Sequence, residues 1–222
     1  MALTRILEPE VMDDPAEAIA YDAMDFRAVN QDFADLVVTT YSQETAFVLD
    51  LGTGTAQIPI LLGQQRPQWQ IKGTDLAQSM LALGQKNVVA AGLTAQIELV
   101  YADAKNLPWP DQSFDVIISN SLIHHLPDPL PCFQEMRRLL KPQGNIIVRD
   151  LFRPDSTAAI DQIVAAAEGP GFDARQRQLF WDSLHAAFTV PEIEAIATEA
   201  GLTKAQVYQS SERHWTLIFP QP

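Results

Sequence analysis

Three aspartates follow the ends of successive short apolar segments, a placement that suits them for binding a polar ligand. Asp50 ends the run AFVLD, Asp75 ends the run IKGTD, and Asp103 comes just after a third such run. If these runs are parallel strands, all three carboxylates lie at the sheet edge where open α/β sheets bind ligands. Asp75 could hydrogen-bond ribose hydroxyls, or it could cap a helix that begins at Leu76. Asp103 could accept a hydrogen bond from the amino group of a base, or it could be an ordinary loop residue.

Two glycines, Gly52 and Gly54, directly follow the first aspartate in the run VLDLGTGTA. Because glycine has no Cβ, a ligand can approach the backbone there, and the helix N-terminus that follows suits a carboxylate group. A glycine pair is weak evidence alone, but between a strand and a helix it indicates a ligand-binding turn. The nicotinamide-binding fingerprint requires a further glycine where this chain has Gln57, which argues against an oxidoreductase.

The elements that must position these residues alternate short strands with longer helices, which predicts an α/β fold with a parallel sheet covered on both faces. Five strand and helix units are followed by a helical insert, a helix and a closing strand pair. We expect a doubly wound, mostly parallel, seven-stranded Rossmann-like sheet in a single domain, 1–222. Its predicted parts are a helical N-terminal arm (1–45), a ligand-binding core (46–152), a helical cap (153–191) and a closing helix with its strand pair (192–222).

Helix boundaries are predicted from capping residues. A helix is expected from Leu76 to Ala91, and another with Asp128 as its N-cap and basic residues up to Lys141 near its end. Residues 155–200 are predicted to be helical except for a break at Gly169-Pro170-Gly171, which could serve as a hinge.

The charge distribution limits the partners of this chain. Its formal net charge is -13, and residues 1–50 hold 11 of the 28 acidic side chains against only Arg5 and Arg27. A chain with so little positive charge is not expected to bind nucleic acid. The acidic arm is either a solvated helical surface or a cover over a cationic ligand.

Other features predict a cytoplasmic protein without membrane association. No apolar run approaches the roughly 20 residues of a membrane span, and the N-terminal residues do not form a secretory signal. The single cysteine, Cys132, cannot form an internal disulfide. No His-Glu-x-x-His run or comparable ligand cluster is present in the sequence, so no metal is predicted.

Four segments, in order and at fitting spacings, resemble the motifs of class I S-adenosylmethionine-dependent methyltransferases. They are VLDLGTGTA, the acid of GTD, YADAKNLPWPDQSFDVIISNSLIHHLPD and FQEMRRLLKPQGNIIVRD, which together cover about residues 46–150. The sequence departs from the family pattern at two positions. Ala56 stands where the first motif usually has its third glycine, and Gln143 stands where the usual Lys-Pro-Gly-Gly turn has its first glycine. Both departures concern turns, so the resemblance still implies the methyltransferase fold and S-adenosylmethionine as the cofactor.

The resemblance assigns the first two motifs to the cofactor. Gly52 and Gly54 would face its methionine portion, and Asp75 its ribose. The predicted binding set also includes the motif neighbours Asp50, Thr53 and Leu76.

The later motifs would complete the cofactor site. By resemblance, Asp103 and Ala104 would hold the adenine. Asn120 and Ser121, just after the fourth strand, would border the methionine portion and the methyl group that is transferred.

Two further positions are candidates near the reaction centre. The pair His124-His125 follows the fourth strand, and a histidine there could remove a proton from the acceptor or simply form the pocket wall. His125 is the preferred catalytic candidate. Tyr21 in the arm could place an aromatic face over the cationic sulfonium of the cofactor, or it could pack in the core.

The predicted cap would supply contacts for the methyl acceptor. It is rich in apolar side chains, and the helical spacing of Ile160 with Ile163 and Val164 indicates that most of them pack. Phe180 and Trp181 are the candidates for acceptor contact.

The sequence therefore predicts an S-adenosylmethionine-dependent methyltransferase that acts on a small organic molecule by in-line methyl transfer. A non-catalytic S-adenosylmethionine-binding protein would keep the same glycines and Asp75 and is the main alternative; a nicotinamide-dependent oxidoreductase is less favoured. The acceptor, the atom that is methylated and the oligomeric state stay open.

Overall fold

The computed structural model describes residues 3–8, 13–167 and 173–220. In this part of the chain the strands are β1 (Ala46–Leu51), β2 (Trp69–Asp75), β3 (Ile97–Tyr101), β4 (Phe114–Asn120), β5 (Leu140–Leu151), β6 (Gln206–Gln209) and β7 (His214–Phe219). They form a seven-stranded sheet of order β3-β2-β1-β4-β5-β7-β6. The first five strands pair in parallel, and β7 runs antiparallel to both of its neighbours. The predicted doubly wound, mostly parallel sheet is confirmed.

Helices cover both faces of this sheet and extend beyond it. They are α1 (Pro15–Asp22), α2 (Arg27–Thr40), α3 (Gln57–Gln65), α4 (Gln78–Ala90), α5 (Leu130–Leu139), α6 (Thr157–Ala167), α7 (Ala174–Ala186) and α8 (Val190–Glu199). A single 3-10 turn, Ile123–His125, lies between β4 and α5 among the described elements.

The central strand β4 shows why the chain forms a covered sheet. Its Val116 and Ile118 pack in one apolar cluster with Phe33 of α2, while Ile117 packs in another with Phe133 of α5. All of these side chains are fully buried. A strand that is apolar on both faces must be covered on both faces, as in parallel sheets generally.

Two predicted helix starts are wrong by one or two residues, for the same reason. Helix α4 begins at Gln78 rather than Leu76, and Asp75 is not its N-cap because that position is occupied by Ala77. Helix α5 begins at Leu130, with Asp128 one position outside the cap. In both cases the aspartate accepts a hydrogen bond from the backbone N–H two residues later, which makes a turn before the helix. Lys141, expected near the end of that helix, lies in β5.

The cap contains α6 and α7, and it is interrupted where the sequence predicted continuous helix. Residues 187–189 are extended, and Phe188 forms an isolated bridge with Phe152 at the end of β5. This break separates α7 from α8, which begins at Val190. The predicted hinge Gly169-Pro170-Gly171, with Phe172, lies outside the described residues.

An extended N-terminal segment, residues 3–8, connects the cap to the loop after β4. The Arg5 guanidinium donates hydrogen bonds to the carbonyl oxygens of Ala186 and His124, at 2.5 and 2.9 Å, and lies 3.8 Å from the centre of the Phe188 ring. Neither this segment nor its connection was predicted from the sequence. Within the described ranges, no helix has the length and apolar character needed to span a membrane.

Candidate active site

A cavity of about 1270 Å³ opens at the carboxyl edge of the sheet. Four parts of the molecule line it: the arm around residues 20–30, the loops after β1 to β4, the cap helices α6 and α7, and residues 212–214, where β7 begins. The predicted residues that line it are Tyr21, Gly52, Gly54, Asp75, Leu76, Asp103, Ala104, Asn120, Ser121, His125 and Phe180. The fold thus brings together residues that the sequence spreads over 160 positions.

The glycine turn after β1 requires both of its glycines, for different reasons. Gly52 has φ +69°, and a Cβ there would lie 2.9 Å from the side chain of Leu122. Gly54 has φ +53°, and a Cβ there would meet no protein atom within 4 Å. Positive φ disfavours other residues at both positions. At Gly54 the space that a Cβ would enter belongs to the cavity, as expected for a close approach of ligand to backbone.

Asp75 holds the turn in place and still has capacity for a ligand. Its Oδ2 accepts a hydrogen bond from the Gly54 N–H at 2.8 Å, and its Oδ1 accepts one from the Ala77 N–H at 2.9 Å. A carboxylate has about four acceptor positions, so two remain for ribose hydroxyls. Burial raises the pKa of Asp75, although these backbone N–H groups favour its ionised form.

Asp50 and Thr53 do not line the cavity, contrary to their place in the predicted binding set. Both are buried behind the turn, with 2% and 7% of their surfaces exposed, because the strand end directs them into the protein. Burial, together with the nearby charge of Asp75, raises the pKa of Asp50 to about 7. Asp50 can therefore act on a ligand through its charge rather than by contact.

Tyr21 lies on α1 beside the cavity and packs against Phe26, with ring centres 5.1 Å apart. It also contacts a small apolar cluster that includes Ala77 and Met80. Burial, and then the neighbouring carboxylates of Asp75 and Asp50, raise the pKa of Tyr21 to about 12. The hydroxyl is therefore neutral; the ring packs, as one of the two alternatives predicted, and its place beside the cavity leaves the contact with the sulfonium a prediction.

The loop after β3 presents Asp103 and Ala104 to the cavity. The Asp103 carboxylate accepts a hydrogen bond from the backbone N–H of Lys105 at 2.8 Å and lies 3.1 Å from that lysine's Nζ. It is partly exposed and has acceptor capacity left for an amino group. Its geometry is thus compatible with the adenine contact that the resemblance implies.

Sequence reasoning missed Arg149, which fixes Asn120. The guanidinium Nε donates to Asn120 Oδ1 at 2.9 Å, and Nη2 donates to the Val29 carbonyl oxygen at 2.6 Å. Burial lowers the pKa of Arg149 to about 10. This residue therefore joins the arm to the end of β4. In the sequence, the only indication of this function is that Arg149 directly precedes Asp150 at the end of the apolar run IIVRD.

Sequence reasoning also missed the carboxylates that face the histidine pair. His124 is buried, with Nδ1 2.5 Å from Asp150 Oδ1 and Nε2 3.3 Å from Glu8 Oε1. The Nδ1 of His125 lies 3.0 Å from the same Glu8 oxygen. Burial would lower the pKa of His124, but the charge of Asp150 and its hydrogen bond, with Glu8, raise it. Asp150 lies near the end of β5, at the same sheet edge as the other acids, so the sequence pattern could have indicated it as a site residue.

The two aromatic candidates of the cap have different positions. Phe180 lines the cavity, whereas Trp181 lies on a separate shallow surface depression. The Trp181 Nε1 donates to Asp161 Oδ1 at 2.9 Å, and its ring packs edge-on against His185. Adjacent residues on a helix point about 100° apart, and here Phe180 turns to the cavity while Trp181 turns to the surface beside α6. The position of Trp181 outside the cavity does not support its predicted contact with the acceptor, whereas that of Phe180 does.

Comparisons with known proteins agree with this arrangement. Residues 49–148 match the family model described as "Methyltransferase domain". A demethylmenaquinone methyltransferase of Bacillus velezensis is 36% identical over 114 residues, which cover 51% of this chain and 48% of that protein. The corresponding protein of Bacillus subtilis is 34% identical over the same length. The chain thus matches about half the length of these curated relatives.

Solved structures extend the likeness to most of the chain. An S-adenosylmethionine-dependent methyltransferase from Aquifex aeolicus superposes with a TM-score of 0.71 at 19% identity, over 92% of this chain and 97% of that one. A plantazolicin methyltransferase, solved with a triazolic desmethylPZN analogue and SAH, gives a TM-score of 0.70 at 14% identity, over 91% and 89% of the two chains.

Residues 49–148 thus match a methyltransferase domain, and the predicted fold is confirmed by the sheet and by its likeness to solved methyltransferases. The match to this domain supports the predicted family and its cofactor.

Proposed function

We propose that this protein transfers a methyl group from S-adenosylmethionine to a small organic acceptor. The observation that carries the proposal is the single cavity at the carboxyl edge of the sheet, which joins the glycine turn, Asp75, Asp103 and Asn120. Residues from successive motifs lie side by side along this cavity, as the binding of one extended cofactor requires. The family match and the methyltransferase relatives support the same activity.

The proposed cofactor site follows the cavity from one strand end to the next. Gly52 and Gly54 hold the methionine portion, and Asp75 accepts hydrogen bonds from the ribose hydroxyls. Asp103 and Ala104 hold the adenine. Leu76 lines the wall between the ribose and the adenine.

The methyl group would lie between the cofactor and the cap. In this proposal, Asn120 and Ser121 border the sulfonium, and Tyr21 offers its ring to that cation. The sulfur–carbon bond breaks as the acceptor's electron pair forms a new bond to the methyl carbon, and the sulfur keeps the electrons of the broken bond. The protein accelerates this displacement mainly by holding donor and acceptor in line and away from water.

The acceptor is proposed to be mostly apolar. The remaining cavity wall contains Phe26 and Val29 from the arm and Ile163, Leu179 and Phe180 from the cap. Apolar walls with a few polar groups are usual for small-molecule sites. The quinone precursor in the names of the matched relatives is an acceptor of this general type.

His125 is proposed as the residue nearest to the acceptor's proton, since it lines the cavity and 20% of its side chain is exposed. If it acts, replacement by alanine should lower turnover by about 100-fold with little effect on cofactor affinity. A near-normal rate would leave His125 as part of the wall.

The cellular setting is part of the proposal. The net charge of -13 supports a partner other than nucleic acid. A cytoplasmic location without membrane association fits the same composition.

The proposal is tested by calorimetry with S-adenosylmethionine, S-adenosylhomocysteine and NAD. We expect micromolar to sub-millimolar binding of the first two and none of NAD. Release of S-adenosylhomocysteine is then followed over a library of aromatic and aliphatic acceptors. Binding of NAD alone contradicts the proposal, and tight cofactor binding without turnover on any acceptor favours a non-catalytic binding protein.

A further inference from the structure

Three side chains that can bind a metal ion lie close together where the N-terminal segment meets the loop after β4. Glu8, His124 and His125 each offer one ligand atom, and these three atoms all lie within 4.8 Å of one another. We propose that these three residues bind one divalent transition-metal ion, with Zn²⁺ as the best match. The sequence did not predict this site, because Glu8 is more than a hundred positions away from the histidines.

The distances fit a common central ion. The Glu8 oxygen is 3.3 Å from His124 Nε2 and 3.0 Å from His125 Nδ1. Metal bonds of about 2.0–2.1 Å in tetrahedral geometry place neighbouring ligand atoms roughly 3.4 Å apart. Small movements of these side chains would therefore complete the site.

The hydrogen bonds around His124 orient it as a metal ligand. Asp150 also accepts hydrogen bonds from the backbone N–H groups of Ile123 and Leu151, so it is an ionised acceptor that receives the Nδ1 proton of His124. The lone pair on Nε2 then points to the side of Glu8. A carboxylate behind a ligand histidine fixes its tautomer and increases its basicity in many zinc sites.

The state of His125 distinguishes a metal ion from a shared proton. A proton on His124 Nε2 would satisfy that ring and Glu8. The Nδ1 of His125 would still be buried and without a hydrogen-bond partner among the described residues. Glu8 Oε1 is close to it, but the direction between the two atoms does not suit a hydrogen bond. A metal ion between the three atoms satisfies both rings and the carboxylate. This is the observation that favours the metal.

The ligand set selects the type of ion. Two imidazoles and one carboxylate suit Zn²⁺ and other late first-row metals, whereas Mg²⁺ and Ca²⁺ prefer oxygen ligands. Three protein ligands leave a fourth position for water or substrate, as in catalytic zinc sites. Both histidines and Ser183, whose hydroxyl donates to Glu8 at 3.1 Å, line the cavity.

The ion would then act on the acceptor, a function that rests on the proposed methyl transfer. An acceptor hydroxyl in the fourth position would have its pKa lowered and would lose its proton to solvent. The coordinated Nδ1 of His125 could not accept that proton. The metal would thus replace the base that the sequence predicted at His125.

The test uses Co²⁺ as a spectroscopic probe on the full chain after treatment with a chelator. We expect one equivalent of Co²⁺ to bind and to produce visible absorption bands, with displacement by Zn²⁺. Glu8→Gln and His125→Gln should each weaken Co²⁺ binding by about tenfold or more, since each removes a ligand. Glu98→Gln and His214→Gln are matched controls outside the cluster and should bind as the wild type does.

The proposal is overturned if the wild type binds no Co²⁺, or if all four variants bind it equally. A second measurement needs no variant: Zn²⁺ should shift the ring nitrogen resonances of His124 and His125 and leave those of His185 and His214 unchanged. Calorimetry with S-adenosylmethionine on the same metal-free sample separates this proposal from the methyltransferase function. Cofactor binding without metal binding would overturn only the metal site.

Discussion

At the scale of single residues, Gly54 and Gly92 form a natural comparison. Each has a positive φ, +53° and +72°, and a Cβ at either position meets no protein atom within 4 Å. Gly54 lines the cavity, whereas Gly92 ends the turn between α4 and β3. Alanine at either position should cost about 1–2 kcal/mol of folding stability, the usual penalty of the left-handed conformation.

Only Gly54→Ala should also weaken S-adenosylmethionine binding, by about tenfold or more, because the methyl group would occupy ligand space. Denaturant unfolding and calorimetry on both variants measure the two effects. Equal cofactor affinity in Gly54→Ala and Gly92→Ala would mean that the ligand does not approach this turn.

Asp50 should make cofactor binding depend on pH. Burial, with Asp75 nearby, raises its pKa to about 7, so it is largely protonated at pH 6 and ionised at pH 8. A cationic ligand in the adjacent cavity favours the ionised form. The affinity for S-adenosylmethionine should therefore rise severalfold from pH 6 to pH 8, with proton release near pH 6.

Asp50→Asn is the matched control, since it keeps the shape and removes the titration. Calorimetry in buffers of different ionisation enthalpy measures the proton release, and the variant should lose the Asp50 contribution. The same pH slope in both proteins would assign the dependence to another group, such as the amino group of the ligand.

Some residue functions could be predicted and others could not, for a physical reason. Gly52, Gly54, Asp75 and Asn120 follow strand ends, and parallel strands place their ends together whatever the details of packing. Glu8 and Arg149 act through contacts across the molecule. Glu8 and His124 are 116 positions apart, and Arg149 and Val29 are 120 apart, and no local pattern specifies such pairs.

At the scale of elements, the strands were predictable because their apolar runs are buried on both faces. Helix starts were less predictable than strands. Asp75 and Asp128 are of the residue type that often forms an N-cap, but their carboxylates accept hydrogen bonds in the turn that precedes each helix. The predicted boundary between cap and closing helix, at 191/192, lies close to the start of α8 at Val190, but the extended residues before it were not predicted. Residues 187–189 carry no glycine, and the bridge between Phe188 and Phe152 holds them extended.

Helix α7 allows a direct test of how the cap selects the acceptor. Phe180 lines the cavity, and its neighbour Trp181 bonds Asp161 outside it. Both pack against the same buried cluster that includes Ile160 and Leu184. Substitution of either by alanine should therefore cost stability, in the range of about 1–4 kcal/mol for partly buried aromatic side chains.

Only Phe180→Ala should change the acceptor specificity. We expect its KM for a bulky apolar acceptor to change by fivefold or more, and Trp181→Ala to retain the wild-type KM. Both should bind S-adenosylhomocysteine within about threefold of the wild type, because cofactor and acceptor contact different residues. Parallel changes in the two variants would show that the cap acts on the acceptor only through its packing.

At the scale of the whole molecule, arm, core and cap share one cavity, and polar contacts join them in addition to the packing of α2 against the sheet. Arg149 joins the arm to the core through Val29 and Asn120, and Arg5 joins the cap to the loop after β4. The arm also bonds the glycine-turn helix, since Asp22 accepts a hydrogen bond from the Gln57 side chain. A ligand in the cavity would add contacts to all three parts at once.

Cofactor binding should therefore stabilise all three parts together. S-adenosylhomocysteine at 100 times its dissociation constant should add about 2.7 kcal/mol to the free energy of unfolding, a rise of roughly 5–10 °C in Tm for a chain of this size. Hydrogen exchange should slow in α1 and α7 as well as in the glycine turn, because Tyr21 and Phe180 line the same cavity. Gly54→Ala at the same ligand concentration is the control: for a tenfold loss of affinity its stabilisation should fall to about 1.4 kcal/mol, half of the wild-type value. Protection confined to the loops after β1 to β4 would mean that the arm and the cap respond to the acceptor and not to the cofactor.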